Sequence, residues 1–311
     1  MVRVLTEHEL RRVVDMDLAI KAIEEVLRER VNGSAISLPH ARMEIGEGRL
    51  VFTTGGFPRV GALGFRVYPA GYPEGDQLVA VWDTNGRLVA LMTGGLLGAI
   101  RTGAIGGVAI KWLSRPDASV VGVVGAGQQA YTQLMAAVRV RQIREVRIYR
   151  RRSELLKEQT QEWSKNLGVE VRPAHSPQEA VDRADIVIIA TTSSEPVISA
   201  DWLTRGVHVN SLGPKYWGRS EIGLDLVSKA DLLVSDFPEP YRDEKEFMLY
   251  GTSYLDQIQD LSQLIDGRFA RTREATTLFL SHGLAGTEVL VALEFARRAR
   301  ELGIGLEIEA S

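Results

Sequence analysis

The run Gly125-Ala126-Gly127-Gln128-Gln129-Ala130 fits the pattern G-x-G-x-x-G/A, whose chemistry is the binding of a dinucleotide pyrophosphate. Gly125 permits the tight turn, Gly127 lets the backbone approach the phosphates, and Ala130 keeps the following helix close to the strand. The helix N-terminus then faces the anion with unpaired N–H groups. Such a match is weak alone, and a glycine-rich turn without a ligand is the plainer alternative. Context strengthens it here. The apolar run Val120-Val121-Gly122-Val123-Val124 precedes the loop, a helical stretch from Gln128 to Arg141 follows, and the strand Val146-Arg147-Ile148-Tyr149 comes next.

At the end of that second strand, folds that prefer NADH place an acid for the ribose hydroxyls. This chain has Tyr149-Arg150-Arg151-Arg152-Ser153 instead. Guanidinium forks match a phosphate, so Arg150, Arg151 and Ser153 predict NADPH in preference to NADH. A solvated helix start is the competing reading. Thr191 and Thr192, just after the apolar run Asp185 to Ala190, are counted with the cofactor residues.

Other chemistries lack their residues. There is no cysteine, and His8, His40, His175, His208 and His282 are scattered without metal-ligand spacing, so no metal is expected. There is no Walker loop and no G-x-S-x-G elbow. The formal charge of −3 gives no basis for nucleic-acid binding. The N-terminal residues carry charges where a signal peptide needs an apolar run. The most apolar stretch, Leu88 to Ile110, contains Arg101 and several glycines, so no membrane span and a cytoplasmic protein are expected.

Positioning these residues takes a chain of 311 residues, 45 % hydrophobic and 25 % charged, enough for one large or two modest domains. Asp15 to Val31 reads as an amphipathic helix stopped at Asn32-Gly33. From Ser37 to Met92, short β-rich runs alternate with turn signals and predict an antiparallel meander; Asp83-Thr84-Asn85-Gly86 predicts a two-residue hairpin turn. Gly94 to Leu113 reads as a tightly packed helix. After Pro116, strands and helices alternate: strands at Val120–Val124, Val146–Tyr149, Val169–Val171, Asp185–Ala190, Val207–Asn210 and Asp231–Val234, with helices at Gln128–Arg141 and Ser153–Leu167. That alternation predicts a doubly wound parallel sheet of Rossmann type beside a β-rich domain, hence an α/β fold. A last helix is expected from Glu288 to Leu302.

Arg101-Thr102-Gly103-Ala104, then Lys111-Trp112-Leu113-Ser114-Arg115, the glycine loop, Ser211-Leu212-Gly213 and Ser281-His282-Gly283-Leu284-Ala285 follow one another in a recognisable order. In this the chain resembles the ornithine cyclodeaminase/mu-crystallin family along essentially its whole length. The stretch from Arg101 to Ala130 is especially similar to the archaeal alanine dehydrogenase branch. The resemblance implies a homodimer paired through its first domains, with the last helix returning to that domain. It implies a substrate and dimerisation domain of residues 1–114 with 288–311, and a dinucleotide domain of residues 115–287. It also implies chemistry on imines at an amino-acid α-carbon, with a bound nicotinamide.

Its functional positions carry over unevenly. Arg42 stands where the family has a basic residue for the substrate carboxylate, Arg101 where an arginine lies beside the cofactor, and Thr102 where the pyrophosphate would be met. Ser281 and Gly283 fall where the last loop meets the nicotinamide, and Ser211 and Gly213 are counted with the cofactor residues. Two positions depart: Arg66 replaces a lysine, and Lys215 stands near where cyclodeaminases carry an aspartate. Arginine grips carboxylates but does not give up a proton, whereas lysine does so when buried. Lys215 is a poor substitute for a carboxylate that accepts a proton, which disfavours the cyclising deaminase reaction; the ketimine reductase branch lacks that aspartate too.

The reading is therefore NADPH-dependent reduction of a ketimine or cyclic imino acid, or reductive amination of a 2-oxo acid, with Arg42, Arg66 and Arg101 cradling the carboxylate. The alternatives are an alanine-type amino-acid dehydrogenase and an NADP-loaded binding protein without turnover. His40, His282, Tyr68 and Lys215 are candidates for an acid, and Phe52, Phe65, Tyr68 and Trp217 for side-chain selection. Arg42 and Arg66 as ordinary surface ion pairs is the bland reading.

Overall fold

A computed structural model of the chain describes residues 1–38, 40–72, 75–152, 154 and 156–309. The backbone divides into two compact units, Met1–Ala104 with Leu284–Ser311, and Ile105–Gly283. The helix Leu96–Leu113 contains the first division. That helix is long and apolar enough to cross a membrane by composition, but 83 % of it is buried inside the protein.

The first unit opens with elements that hydrophobic periodicity did not show: the strand Val2–Leu5 and the helix Glu7–Val13. The helix start is written in Thr6-Glu7-His8-Glu9 as a capping box. Thr6 Oγ1 accepts from Glu9 N, and Glu9 Oε2 accepts from Thr6 N at 2.8 Å. The expected amphipathic helix is Met16–Val31, capped by Asp15, which accepts from Asp17 N and Leu18 N. The meander follows as Ala41–Ile45, Gly48–Phe57, Ala62–Ala70, Leu78–Asp83 and Leu88–Thr93, each antiparallel to the next. Val2–Leu5 extends this sheet in parallel with Leu88–Thr93, and Leu306–Ile308 adds an outer antiparallel strand.

The hairpin at Asn85-Gly86 is not a two-residue turn. Asp83 N donates to Arg87 O, and the Asp83 carboxylate accepts from Asn85 N and Arg87 N. Gly86 has φ +77°, whereas Asn85 is not among the positive-φ residues, and the expected turn type needs both. The aspartate's own hydrogen bonds select the wider loop.

Register sets what each sheet face presents. Thr53 pairs with Arg66 and Arg66 with Val79, while Val51 pairs with both Arg42 and Tyr68. These residues share one face by strand alternation. The helix Thr287–Glu301 packs over the meander strands and against Met16–Val31.

The second unit is an eight-stranded sheet, parallel throughout. Its order is Glu170–Pro173, Glu145–Tyr149, Val120–Val124, Ile186–Ile189, His208–Ser211, Thr277–Leu280, Leu232–Ser235, Ile258–Asp260. The fold class is the expected Rossmann type. Two strands went unread: Ile258–Asp260 at the edge, and Thr277–Leu280, which inserts between His208–Ser211 and Leu232–Ser235. The chain reverses its winding direction between Val120–Val124 and Ile186–Ile189, where a ligand crevice belongs in such sheets.

Candidate functional site

In the second unit, Gly125 leaves the strand Val120–Val124 with φ +108°, and its N–H donates to Tyr149 O at 2.9 Å. A Cβ there would stand 2.2 Å from Ala190 O, so only glycine lets the two strand ends meet. Gly127 differs. It caps the helix Gln128–Val140 in extended conformation, and a Cβ on it would meet nothing within 4 Å. Open space beside a helix N-terminus whose N–H groups have no side-chain cap fits a bound phosphate.

Around this loop lies a cavity of about 660 Å³ lined by Gly125, Ala126, Gly127, Arg150, Arg151, Ala190, Thr191, Thr192, Ser193, Ser194, Glu195 and Val197. Seven of the residues expected to hold a cofactor, Gly125, Ala126, Gly127, Arg150, Arg151, Thr191 and Thr192, therefore share one wall or another of it. Gln128 and Gln129 form the first turn of the helix beside it. Arg150 is braced rather than loose: its Nη1 donates to Gln159 Oε1 at 3.0 Å, and Gln159 Nε2 donates to Ala126 O at 2.9 Å. Ser153 lies outside the described residues. The cavity shape, the open glycine and the two guanidinium groups fit a dinucleotide.

Three of the expected cofactor residues, Thr191 on the cavity wall and Ser211 and Gly213 beyond it, have partners of their own. Thr191 Oγ1 donates to Glu221 Oε2 at 2.9 Å, Ser211 Oγ to Glu221 Oε1 at 2.8 Å, and Gly213 N to Glu221 Oε1 at 2.6 Å. Glu221 is wholly buried and was not read from the sequence. Lys215, also buried, donates from Nζ to Gly213 O at 2.8 Å and Ser281 O at 3.2 Å. Burial pushes its amine down to about 8, against the opposing pull of Glu221 and Asp236. Asp236 accepts from His282 N at 2.8 Å and Gly283 N at 2.9 Å. His282 packs its ring edge-on against Tyr241 and Phe237, with Nε2 3.4 Å from Glu244 Oε1.

The first unit holds the basic cluster. Arg66 comes from the strand Ala62–Ala70, Arg101 from the helix Leu96–Leu113 and Glu288 from the first turn of Thr287–Glu301. Glu288 Oε1 lies 2.9 Å from Arg66 Nη1 and 2.9 Å from Arg101 Nε. The second contact is an ion pair without hydrogen-bond alignment, since Arg101 Nε has no hydrogen-bond partner among the described residues. Arg66 Nε also donates to Gln77 Oε1 at 3.0 Å, and its guanidinium lies 4.1 Å over the Tyr68 ring. That ring supports Arg66 from one side. Desolvation alone would raise the Glu288 carboxyl; Arg101 and then Arg66 outweigh it and hold the carboxyl below its usual range.

Arg42 is exposed on the same sheet face, opposite Val51. His40 is half-buried ahead of its strand. Thr102 Oγ1 donates to Gly98 O in its own helix at 2.9 Å. Sequence reading missed Glu288, Glu221, Asp236, Gln77 and Gln159. Glu288, Glu221 and Asp236 look like ordinary helix-start or loop acids that only burial gives away, whereas Gln77 and Gln159 are half-buried and show their part only by their hydrogen bonds to Arg66 and Arg150. Among the described residues no group of acidic, histidine or cysteine side chains could hold a metal.

The profile of the ornithine cyclodeaminase/mu-crystallin family matches residues 2–301. The chain is 30 % identical over 320 residues to an alanine dehydrogenase of Archaeoglobus fulgidus, covering 98 % of each. It superimposes on the Δ1-pyrroline-2-carboxylate reductase of Thermococcus litoralis, solved with NADH and L-proline, with a TM-score of 0.87 and 29 % identity over 99 % of this chain and all of that one (100 %). An archaeal alanine dehydrogenase, solved as a dimer with bound NAD, superimposes with a TM-score of 0.86 and 27 % identity over 100 % of this chain and 99 % of that one.

Proposed function

The chain belongs to the ornithine cyclodeaminase/mu-crystallin family, and from that premise we propose an oxidoreductase of carbon–nitrogen bonds that reduces an imine bearing an adjacent carboxylate. One observation carries the substrate class: Arg66 and Arg101 share the single carboxylate of Glu288, with side chains 9 %, 8 % and 0 % exposed. Two positive charges against one negative leave a cationic excess where water screens little, and this favours an organic carboxylate. Arg101 Nη1, without a partner among the described residues, is a donor in want of an acceptor. Arg42 adds an exposed basic group on the same face.

A nicotinamide cofactor, held at Gly125–Gly127 with Arg150 and Arg151, would supply the hydride. The protein's part is to fix the carboxylate, so that the imine carbon has one orientation, and to stabilise charge. An iminium is already electrophilic, so a site of arginines without a strong acid suffices. Arg66 stays charged and acts by binding, not by proton transfer.

The reading takes NADPH over NADH. Its support is Arg150 and Arg151 on the cavity wall, with Gln159 linking Arg150 to Ala126 O of the phosphate loop. An alanine-type dehydrogenase is the second reading, favoured by the full-length likeness to the Archaeoglobus enzyme. A cyclodeaminase is disfavoured because Lys215, a donor engaged with two carbonyls, stands near where a carboxylate acceptor is wanted. The chain assembles as a homodimer in this proposal. Ile36, Met43, Ile45 and Leu63, 45–56 % exposed, lie on the sheet face opposite Arg66, an apolar surface that a second copy would cover.

The test is a panel of cyclic imino acids, 2-oxo acids with ammonia, and small amino acids, each with NADP(H) and NAD(H), followed by cofactor absorbance. Turnover of imino acids, faster with NADPH, is expected. Turnover confined to 2-oxo acids with ammonia moves the assignment to the dehydrogenase. Tight cofactor binding without any turnover makes the chain a binding protein and overturns the proposal.

A further inference from the structure

We propose that Lys215 is a positioning residue that ties together the two loops presented to the nicotinamide end of the cofactor, setting their separation before the cofactor arrives. This rests on the cofactor reading above. The loops leave the carboxyl ends of adjacent strands, His208–Ser211 and Thr277–Leu280. Each is anchored on one side by a buried carboxylate that accepts backbone N–H groups. Glu221 takes Gly213 N at 2.6 Å in the first loop; Asp236 takes His282 N at 2.8 Å and Gly283 N at 2.9 Å in the second. Between them Lys215 Nζ donates to one carbonyl of each, Gly213 O at 2.8 Å and Ser281 O at 3.2 Å.

The arrangement is closed on itself. Lys215 and Glu221 flank a small ribbon in which Lys215 pairs with Ser220 and Tyr216 with Arg219. Glu221 N returns to Pro214 O at 3.0 Å, and Met248 N donates to Lys215 O at 2.9 Å. A single short excursion of the chain thus delivers the cation that joins the loops and the anion that fixes one of them. Irregular backbone at the end of a sheet has carbonyls that no neighbouring strand satisfies, and burying them unpaired is costly. An ammonium has several donors on a flexible stem, so one side chain can serve two carbonyls from different loops. Glu221 also takes Thr191 N and Oγ1, both at 2.9 Å, which extends the tie to the loop after Ile186–Ile189. Lys215 is therefore spent on geometry, and it need not touch the substrate.

The experiment compares binding of NADPH and of 2′-phospho-ADP-ribose, which lacks the nicotinamide ring, by calorimetric titration of wild type, Lys215→Met and Lys215→Arg. Losing two buried hydrogen bonds should weaken NADPH at least tenfold in Lys215→Met. The fragment, held at Gly125–Gly127, Arg150 and Arg151, should bind as in wild type. Lys215→Arg, which keeps a charged donor, should recover most of the NADPH affinity. Unchanged NADPH affinity in a folded Lys215→Met protein overturns the proposal, as does equal loss of both ligands. Should Lys215→Met not fold, failure of Lys215→Arg to favour NADPH over the fragment as wild type does overturns it. If wild type binds neither ligand, the cofactor reading itself is wrong.

Discussion

Arg66 Nη1 lies 2.9 Å from Glu288 Oε1, and Glu288 is wholly buried. Since Arg101 Nε reaches the same oxygen at 2.9 Å, removing this one carboxylate leaves two guanidinium groups facing each other without compensation. Breaking a buried pair from one side costs about 3–5 kcal/mol. Glu288→Gln should therefore lose at least about 3 kcal/mol in urea unfolding at neutral pH. Adding Arg66→Met should return part of that, because it removes one of the two unpaired cations. A strictly additive double-mutant cycle would falsify the shared-carboxylate account.

Acid should expose the same pair. The Glu288 carboxyl is held below its ordinary value of 4.5. A group with a depressed folded-state value stabilises above its unfolded value, and that stability is lost as pH falls through the folded one. Wild-type stability should decline below about pH 4.5, and the difference between wild type and Glu288→Gln should shrink over the same range. Unfolding curves at pH 7, 5, 4 and 3 measure it; a constant difference would show that Glu288 does not titrate there.

The cofactor preference is checked at the end of the second Rossmann strand. Arg150→Asp with Arg151→Ala should raise the KM for NADPH by well over tenfold and that for NADH little, since a phosphate loses two cationic partners. Gln159→Leu, which unbraces Arg150, should act in the same direction more weakly. Equal effects on both cofactors would remove these arginines from the 2′-phosphate.

The architecture was legible where periodicity or glycine chemistry wrote it. The meander, the helix Met16–Val31 and the βαβ run around Gly125 are fixed by alternation, caps and turns that neighbouring residues carry. The strand Thr277–Leu280 was not, because its position between two earlier strands is a matter of chain crossover and not of local pattern. Basic site residues stood out by type, whereas Glu288 and Glu221 did not. In sequence, Glu288 is one more acid in a helix's first turn, favoured there by the dipole alone. Its pairing partners lie 222 residues away at Arg66 and on the helix that carries Arg101.

Assembly has its own signature. Leu63→Asp with Met43→Asp places charge on the exposed apolar face opposite Arg66, leaving the buried core untouched. Size-exclusion chromatography with light scattering should show a dimer for wild type and a monomer for the variant. A variant that elutes unchanged removes this face from the interface.

The two glycines of the phosphate loop separate folding from binding. Gly125→Ala demands φ +108° of a residue with a side chain and drives a Cβ to 2.2 Å from Ala190 O, so the variant should lose thermal stability whether or not a cofactor is present. Gly127→Ala meets nothing within 4 Å and needs no left-handed backbone, so the free protein should melt at the wild-type temperature or slightly above it. Its methyl would occupy the space that the loop keeps open for a phosphate, and NADPH affinity should fall at least tenfold. Thermal scans with and without NADPH read both effects: Gly127→Ala should lose the ligand-induced shift and keep the ligand-free Tm. A full ligand-induced shift in Gly127→Ala would mean that the pyrophosphate does not lie against this loop.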